Sequence, residues 1–165
     1  MAQVDAFIKI DGVDGESKDD KHADEIDILS WDVGFTQGGT AGKGTGQGSG
    51  KVTPRDLTIV KQMDKSSPVL YIACATGQVF KDAVLSQRKA GGQQDDFLVV
   101  TLEGVVVSDL TVNGGSAGAD SGGTPTETVS LNYQRLEYSY KPQDEKGAMG
   151  GEIKQKYDFE KNVKV

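Results

Sequence analysis

The chain has very little cysteine and no long apolar segment. Its 165 residues include one Cys, at position 74, and one His, at position 22. A single Cys excludes an internal disulfide and a zinc site built from several thiolates. The longest nearly apolar run, from Pro68 to Ala75, is far shorter than the ~20 residues of a membrane-spanning helix. The sequence therefore predicts a domain held by its own hydrophobic core, without direct membrane insertion.

Basic residues are also scarce. There are 18 Lys and Arg against 25 Asp and Glu, so the net charge is −7. A protein that binds a phosphate backbone needs clustered Lys and Arg, so nucleic acid is not an expected partner. The first eleven residues have charges inside their apolar stretch and no small-residue cleavage site. We therefore expect a protein made in the cytoplasm without a cleaved signal peptide.

Signatures of enzymes and cofactor sites are missing as well. Both Gly-Lys pairs lack the hydroxyl residue of a phosphate loop, since Gly44 and Val52 follow them, and Val13 takes a ligand position of a possible calcium loop. His22 has no nucleophile context and is interpreted as a surface residue, and Cys74 as a small apolar side chain. A carboxylate pair of the glycosidase type stays open, because 25 acids are available and none stands out. No catalytic, cofactor-binding or metal-ligating residue is predicted.

Most of the chain alternates apolar and polar residues with a period of two, which is typical of strands. The predicted strands are 4–11, 25–34, 56–63, 79–88, 97–102, 105–112, 128–140 and 153–160. The alternation changes phase within 128–140, so a bulge or sharp bend is expected near Gln134 and Arg135. One short helix is predicted, with Ser67 as its cap, Pro68 at its first helical position and Gly77 as its left-handed end. Many strands with one helix favour a barrel or sandwich.

Glycine is concentrated in three segments. Of 22 glycines, 15 lie in 38–50, 114–123 and 147–151, which are expected to be loops. The first loop is long for a connection between strands, and long loops in compact domains are commonly functional or disordered. The residues alone indicate an acidic β domain with long glycine-rich loops and no visible active site.

Taken in order, several segments resemble the haemolysin-coregulated protein family, Hcp, which forms the tube of bacterial type VI secretion systems. They include AFIKID at 6–11, HADEIDILSWDVG at 22–34 and the start and end of the predicted helix. The full set is 6–11, 15–17, 22–34, 51–57, 64–68, 73–77, 88–91, 128–131 and 140–143. The resemblance runs over essentially the whole chain, and the ordered set is far more specific than any one segment.

The resemblance implies a mainly β fold in which two sheets form a small β-barrel with one flanking α-helix and long glycine-rich loops, as a single domain over 1–165. It also implies a homo-hexameric ring that stacks into a hollow tube. Sheath contraction then drives the tube, tipped by a spike protein, into a target cell, so the protein is expected to be cytoplasmic and then secreted. Effector proteins carried in the lumen are the expected cargo.

Two groups of residues are the candidate sites under this resemblance. An extended loop after the second strand serves ring stacking in the family, which points to the segment containing Gln37, Gly42, Lys43, Gly46, Gly50 and Lys51. Ser30 and Asp32 lie on one face of the strand 25–34, opposite Leu29, Trp31 and Val33, and are predicted to face the lumen. A soluble chaperone or carrier of effectors is the alternative function, and a small hydrolase is a third.

Overall fold

A computed structural model describes residues 5–39, 51–89, 95–115 and 123–165 of the chain. Within these ranges it contains ten strands and one helix. In chain order they are β1 Asp5–Ile10, β2 Ile26–Ile28, β3 Ser30–Gln37, β4 Val52–Gln62, α1 Ser67–Thr76, β5 Val79–Arg88, β6 Asp96–Asn113, β7 Thr126–Asn132, β8 Arg135–Tyr140, β9 Ile153–Asp158 and β10 Val163–Lys164. The prediction of a mainly β fold with one short helix is confirmed.

The long strand β6 joins the parts of the sheet. Its first half pairs with β5 and β8, and its second half pairs with β7. One arm continues through β5 and β1 to β2, and the other through β7 and β4 to β3. All pairings in this ten-stranded network are antiparallel.

The two arms meet at Leu29, between β2 and β3. β2 pairs with β1 and β3 pairs with β4, while the amide of Leu29 donates to the carbonyl of Val60 at 2.8 Å. The ladders of the described strands therefore surround the core without closing completely. The strands β8, β9 and β10 branch from β6 outside this ring, and we call them the flap.

Two backbone features turn the chain where the sheet curls. Residues 97–102 and 105–112, predicted as separate strands, belong to one strand because Gly104 continues it at a φ of +65°. The predicted bend near Gln134 is confirmed: β7 ends at Asn132, β8 starts at Arg135, and the amide of Gln134 donates to the carbonyl of Glu103 at 2.9 Å. Before this break β7 pairs with β4, and after it β8 pairs with β9.

The helix α1 covers part of the core. Leu70 and Ala73 are fully buried, and Cys74 packs against the core at partial burial, as predicted. Gly77 ends the helix in the left-handed region at a φ of +70°, also as predicted. The expected cap at Ser67 is wrong: the helix begins at this residue, its N-cap is Ser66, and no side chain makes a capping hydrogen bond.

The Ser67 hydroxyl instead belongs to a buried ion pair below the helix. The Lys61 ammonium lies 2.7 Å from a Glu127 carboxylate oxygen, 3.1 Å from the Ser67 hydroxyl and 3.1 Å from an Asp64 oxygen. Lys61 is 0% exposed and Glu127 is 1% exposed. The hydroxyl of Ser67 also donates to Glu127 at 2.8 Å. Side chains of β4 and β7 thereby hold the first turn of α1.

Candidate functional site

The strand β3 presents two different faces. Ser30 and Asp32 are exposed, whereas Trp31 and Val33 are partly buried and pack against the core. The indole nitrogen of Trp31 donates to the side-chain carbonyl of Gln87 at 2.7 Å, which fixes this orientation. The sequence therefore placed these four residues on the correct faces.

The alternation predicts that Leu29 shares the face of Trp31 and Val33, and the structure shows that this is wrong. Leu29 is 60% exposed, because the chain breaks between β2 and β3 and the buried positions shift by one residue there. Ile26 and Ile28 are buried before the break, and Trp31 and Val33 face the core after it. A one-residue shift in a strand reverses the direction of every following side chain.

A continuous polar face surrounds Ser30 and Asp32. Residues directly opposite each other in antiparallel strands point to the same side, so the register extends this face over four strands. One row is Ser30, Val60, Thr128 and Thr111, and the next is Asp32, Thr58, Ser130 and Asp109. A third row is Gln62, Thr126 and Asn113. We call these eleven positions the polar face; it holds two carboxylates and no Lys or Arg.

Hydrogen bonds tie neighbouring strands together along this surface. The hydroxyls of Thr58 and Ser130 lie 3.1 Å apart, and the Asn132 amide donates to Asp56 at 3.0 Å. Beyond Ser30 and Asp32, the sequence interpretation had singled out none of these residues. The signal was present in the alternation of β7, where Thr126, Thr128 and Ser130 alternate with the buried Glu127, Val129 and Leu131.

The expected stacking segment is described only at its ends. Gln37 is the last residue of β3 and Lys51 precedes β4, and both are exposed. Gln37 pairs with Val52, so the two ends lie side by side. Gly42, Lys43, Gly46 and Gly50 lie outside the described residues, and their role stays a prediction.

An apolar groove of about 410 Å³ lies beside these ends. It runs between Phe35 and Val52 on one side and Leu136 and Tyr157 of the flap on the other. The rings of Phe35 and Phe159 stack with centroids 5.8 Å apart and an interplanar angle of 3°. These contacts connect the flap to the base of the segment 37–51.

His22 is not a surface residue, which corrects the expectation from its charged neighbours. It is 6% exposed, and its ring stacks on Phe7 at a centroid distance of 4.5 Å. The Nδ1 atom contacts the Glu25 carboxylate, and the Nε2 atom lies 2.9 Å from an Asp96 carboxylate oxygen. Phe7 points away from the core side of β1, and the loop after β1 folds over it.

Two carboxylates lie against the two ring nitrogens of His22. Burial raises the pKa of the Glu25 carboxyl, although His22 opposes that shift. The arrangement attaches the loop to the start of β6.

A second ion pair holds the same loop. The buried Arg88 guanidinium donates to Asp19 through both terminal nitrogens and lies 3.4 Å from an Asp5 carboxylate oxygen. The hydrogen bond from Arg88 lowers the pKa of the Asp19 carboxyl below its ordinary value. These contacts give the acidic loop a fixed position on β1 and β5.

Within the described ranges, no group of three or more His, Cys, Asp and Glu side chains is placed to bind a metal ion. No helix in the same ranges is long and apolar enough to cross a membrane. The surfaces that the fold does assemble are the polar face, the groove at the base of 37–51 and the clamped acidic loop.

Comparisons with known proteins identify the relatives of this fold. The family model "Type VI secretion system effector, Hcp" matches residues 7–140. The chain is 45% identical to Protein hcp1 of Pseudomonas aeruginosa over 164 residues, covering 98% of this chain and 99% of the relative. Crystallised Hcp1 of Salmonella typhimurium is 35% identical and superposes with a TM-score of 0.81 over 100% of both chains. Another type VI secretion protein of known structure is 33% identical, with a TM-score of 0.91 over 99% of this chain and 100% of that chain.

Proposed function

Because the chain belongs to the Hcp family of type VI secretion proteins, we propose that it is the structural subunit of the secretion tube. Six copies form a ring, rings stack into a hollow tube, and sheath contraction exports the tube with its spike protein. Small effector proteins travel in the lumen. The role is structural and not enzymatic.

The polar face is the observation that carries this proposal. It spans four neighbouring strands, faces away from the core, and consists mainly of Ser, Thr, Asn and Gln side chains with two carboxylates. Such a face stays hydrated and lacks the large apolar side chains that anchor permanent interfaces. A lumen that must release its cargo needs these properties. Ser30 and Asp32, on β3, are the residues that we assign to the lumen.

Stacking of rings is assigned to the segment from Gln37 to Lys51. Its two ends lie together at the edge of the fold, beside the apolar groove under Phe35. A segment of this length can reach a neighbouring ring, and ordering it there costs conformational entropy. Deletion of residues 40–49 tests the assignment: single rings should persist while stacks disappear.

Bulky substitution in the lumen tests the main proposal. The native mass and negative-stain images of the wild type should show a six-membered ring with a central hole. Ser30→Trp and Asp32→Trp should keep this ring and lose retention of co-expressed effectors. Lys81→Trp, at an exposed position of β5, is the matched control and should retain cargo. Monomers of the Ser30 and Asp32 variants would instead place β3 at the subunit interface.

The alternative function is a soluble chaperone or carrier of effectors that does not build the tube. Deletion of the gene distinguishes the two functions. Loss of a tube subunit stops secretion of every substrate of the apparatus, whereas loss of a carrier removes only the effectors that it binds.

A further inference from the structure

Asn113 lies at the point where the pairing of β6 with β7 ends. It is the last residue of β6, and its partner is Thr126, the first residue of β7. Its side chain is exposed and belongs to the third row of the polar face. The next residue is Gly114, so an Asn-Gly pair stands at the end of this strand.

The fold does not hold the side-chain amide of Asn113. Among the residues that the structure describes, none makes a hydrogen bond with this amide. The backbone N–H of Gly114 has no partner in the same ranges either. Neither group therefore has to break a hydrogen bond to a described residue before it moves towards the other.

Glycine at position 114 leaves the backbone nitrogen after Asn113 accessible. A side chain on the following residue crowds that nitrogen, and a β-branched side chain is also the stiffest. Gly114 has no Cβ, so its backbone turns with the greatest freedom. A Cβ built at this position would meet nothing within 4 Å, so the surrounding space is open as well.

The chain has two other asparagines, and both lack these features. The Asn132 side chain donates to Asp56 at 3.0 Å, and the residue after it is the buried Tyr133. Asn162 is followed by Val163, a β-branched residue of β10. These two asparagines are therefore references for Asn113 within the same molecule.

We propose that Asn113 is a site of spontaneous deamidation, with water as the co-reactant. The Gly114 backbone nitrogen loses its proton to water and attacks the Cγ atom of Asn113. A new C–N bond closes a succinimide ring, and the bond from Cγ to the side-chain nitrogen breaks, so that this nitrogen takes up a proton and leaves as ammonia. One water molecule then adds to either ring carbonyl and opens the ring, which gives aspartate or isoaspartate. No oxidation or reduction is involved.

The reaction changes the charge of the polar face. This face holds the carboxylates of Asp32 and Asp109 and no Lys or Arg, and the product adds a carboxylate beside Gln62 and Thr126. The net charge of the chain changes from −7 to −7 − 1 = −8. Isoaspartate also inserts its β-carbon into the backbone at the end of β6. The reaction requires a single copy of the chain, so it does not depend on ring formation.

Peptide mapping by mass spectrometry tests the site. The wild-type chain is incubated at mildly alkaline pH, which promotes loss of the Gly114 amide proton, and is then digested with pepsin in acid. We expect the mass gain of deamidation on the peptide that contains Asn113, with aspartate and isoaspartate distinguished by electron-transfer fragmentation. Asn113 should convert at least about ten times faster than Asn132 and Asn162.

Substitutions at the two reacting residues test the route. Gly114→Val crowds the attacking nitrogen and should slow the conversion at least about tenfold. The position tolerates a side chain, because its φ is not positive and the space around it is open. Gly151→Val, at another open glycine, is the matched control and should leave the rate unchanged.

Two variants of Asn113 itself test the change in charge. Asn113→Gln keeps the amide but would need a larger ring, so no acidic species should form from this position. Asn113→Asp has the charge of the product. On isoelectric focusing, the acidic species that accumulates in the incubated wild type should migrate with this variant.

Four results would overturn the inference. An unmodified Asn113 in the folded wild type would show that the backbone at the end of β6 prevents ring closure. Equally fast conversion of Asn132 or Asn162 would show that the following glycine does not direct the reaction. Aspartate without isoaspartate, or an unchanged rate in Gly114→Val, would exclude the succinimide route. The proposed tube function is tested separately by the oligomeric state and does not depend on any of these results.

Discussion

Removal of the buried cation under α1 should destabilise the protein strongly. In Lys61→Met, the side chain stays unbranched and is one atom shorter, and the Glu127 carboxylate, 1% exposed in the wild type, loses its cation. Breaking a buried pair by removing one partner costs about 3–5 kcal/mol of unfolding free energy. The Ser67 hydroxyl still donates to Glu127, so we expect a loss towards the lower end, about 3 kcal/mol.

The double variant Lys61→Met, Glu127→Leu separates the ion pair from simple packing. Replacing both charges by apolar side chains of similar size is often neutral or stabilising. We therefore expect the double variant to recover most of the loss, to within about 1 kcal/mol of the wild type.

Urea unfolding of the wild type and the two variants, at one matched protein concentration, provides the measurement. With a slope of ~2 kcal/mol per M, a loss of about 3 kcal/mol lowers the midpoint by about 1.5 M. A single variant within about 0.5 kcal/mol of its parent would refute the reasoning. So would a double variant as unstable as the single one, since the loss would then come from packing.

Three further predictions concern the loop, the sheet and assembly. The hydrogen bond from Arg88 lowers the pKa of the Asp19 carboxyl in the folded state. This pair therefore stabilises the fold above the ordinary carboxyl pKa, and the stabilisation disappears as the pH falls through the lowered pKa. Asp19→Asn should cost about 1–2 kcal/mol of unfolding free energy at pH 7 and little in acid, as measured by urea unfolding at both pH values. Gly104→Ala should cost about 1–2 kcal/mol in the same assay, because Gly104 has a φ of +65° and a Cβ there would meet the Gln134 side chain; an unchanged midpoint would contradict this. Ring formation, followed by sedimentation, should improve as NaCl is raised from about 0.01 M to about 1 M. The screening length falls from ~30 to ~3 Å over this range, so the acidic segments 11–27 of neighbouring copies repel each other less. Loss of rings as salt is added would contradict this prediction.

Period-two alternation predicted most of the strands because one side of each strand faces the core. It also located the bend at Gln134, since a phase change in the pattern has to appear in the backbone. It failed at Gly104, where a glycine at positive φ continues a strand that the sequence had divided. It failed again at Leu29, where the chain passes from one arm of the sheet to the other.

The position of His22 required tertiary information. The charged residues around it suggested a solvated turn, but Phe7 on β1 breaks the alternation and needs a cover on the outer side of its strand. The loop supplies that cover with the His22 ring, and Arg88 lies 5.1 Å from the centre of the Phe7 ring. The signal in the sequence was Phe7, an aromatic residue at a position of β1 where the alternation predicts a polar one.

The candidate surfaces also differ in how far the sequence alone predicts them. The faces of Ser30 and Asp32 follow from local alternation, whereas the polar face needs the register of four strands. The sequence analysis did not single out the exposed apolar side of α1, although the absence of charged residues between Ser67 and Thr76 was a signal for it. The exposed apolar side of the flap, with Tyr138, Tyr140 and Ile153, required the pairing of β8 with β9, which residue patterns do not specify.

Native mass spectrometry of the wild-type chain, with negative-stain images of the same sample, tests the central claim most directly. A ring-forming tube subunit predicts a species near 105 kDa, six times 17.5 kDa, with six-fold averages and a central hole. Single 17.5 kDa chains at every concentration and salt tested would contradict the account.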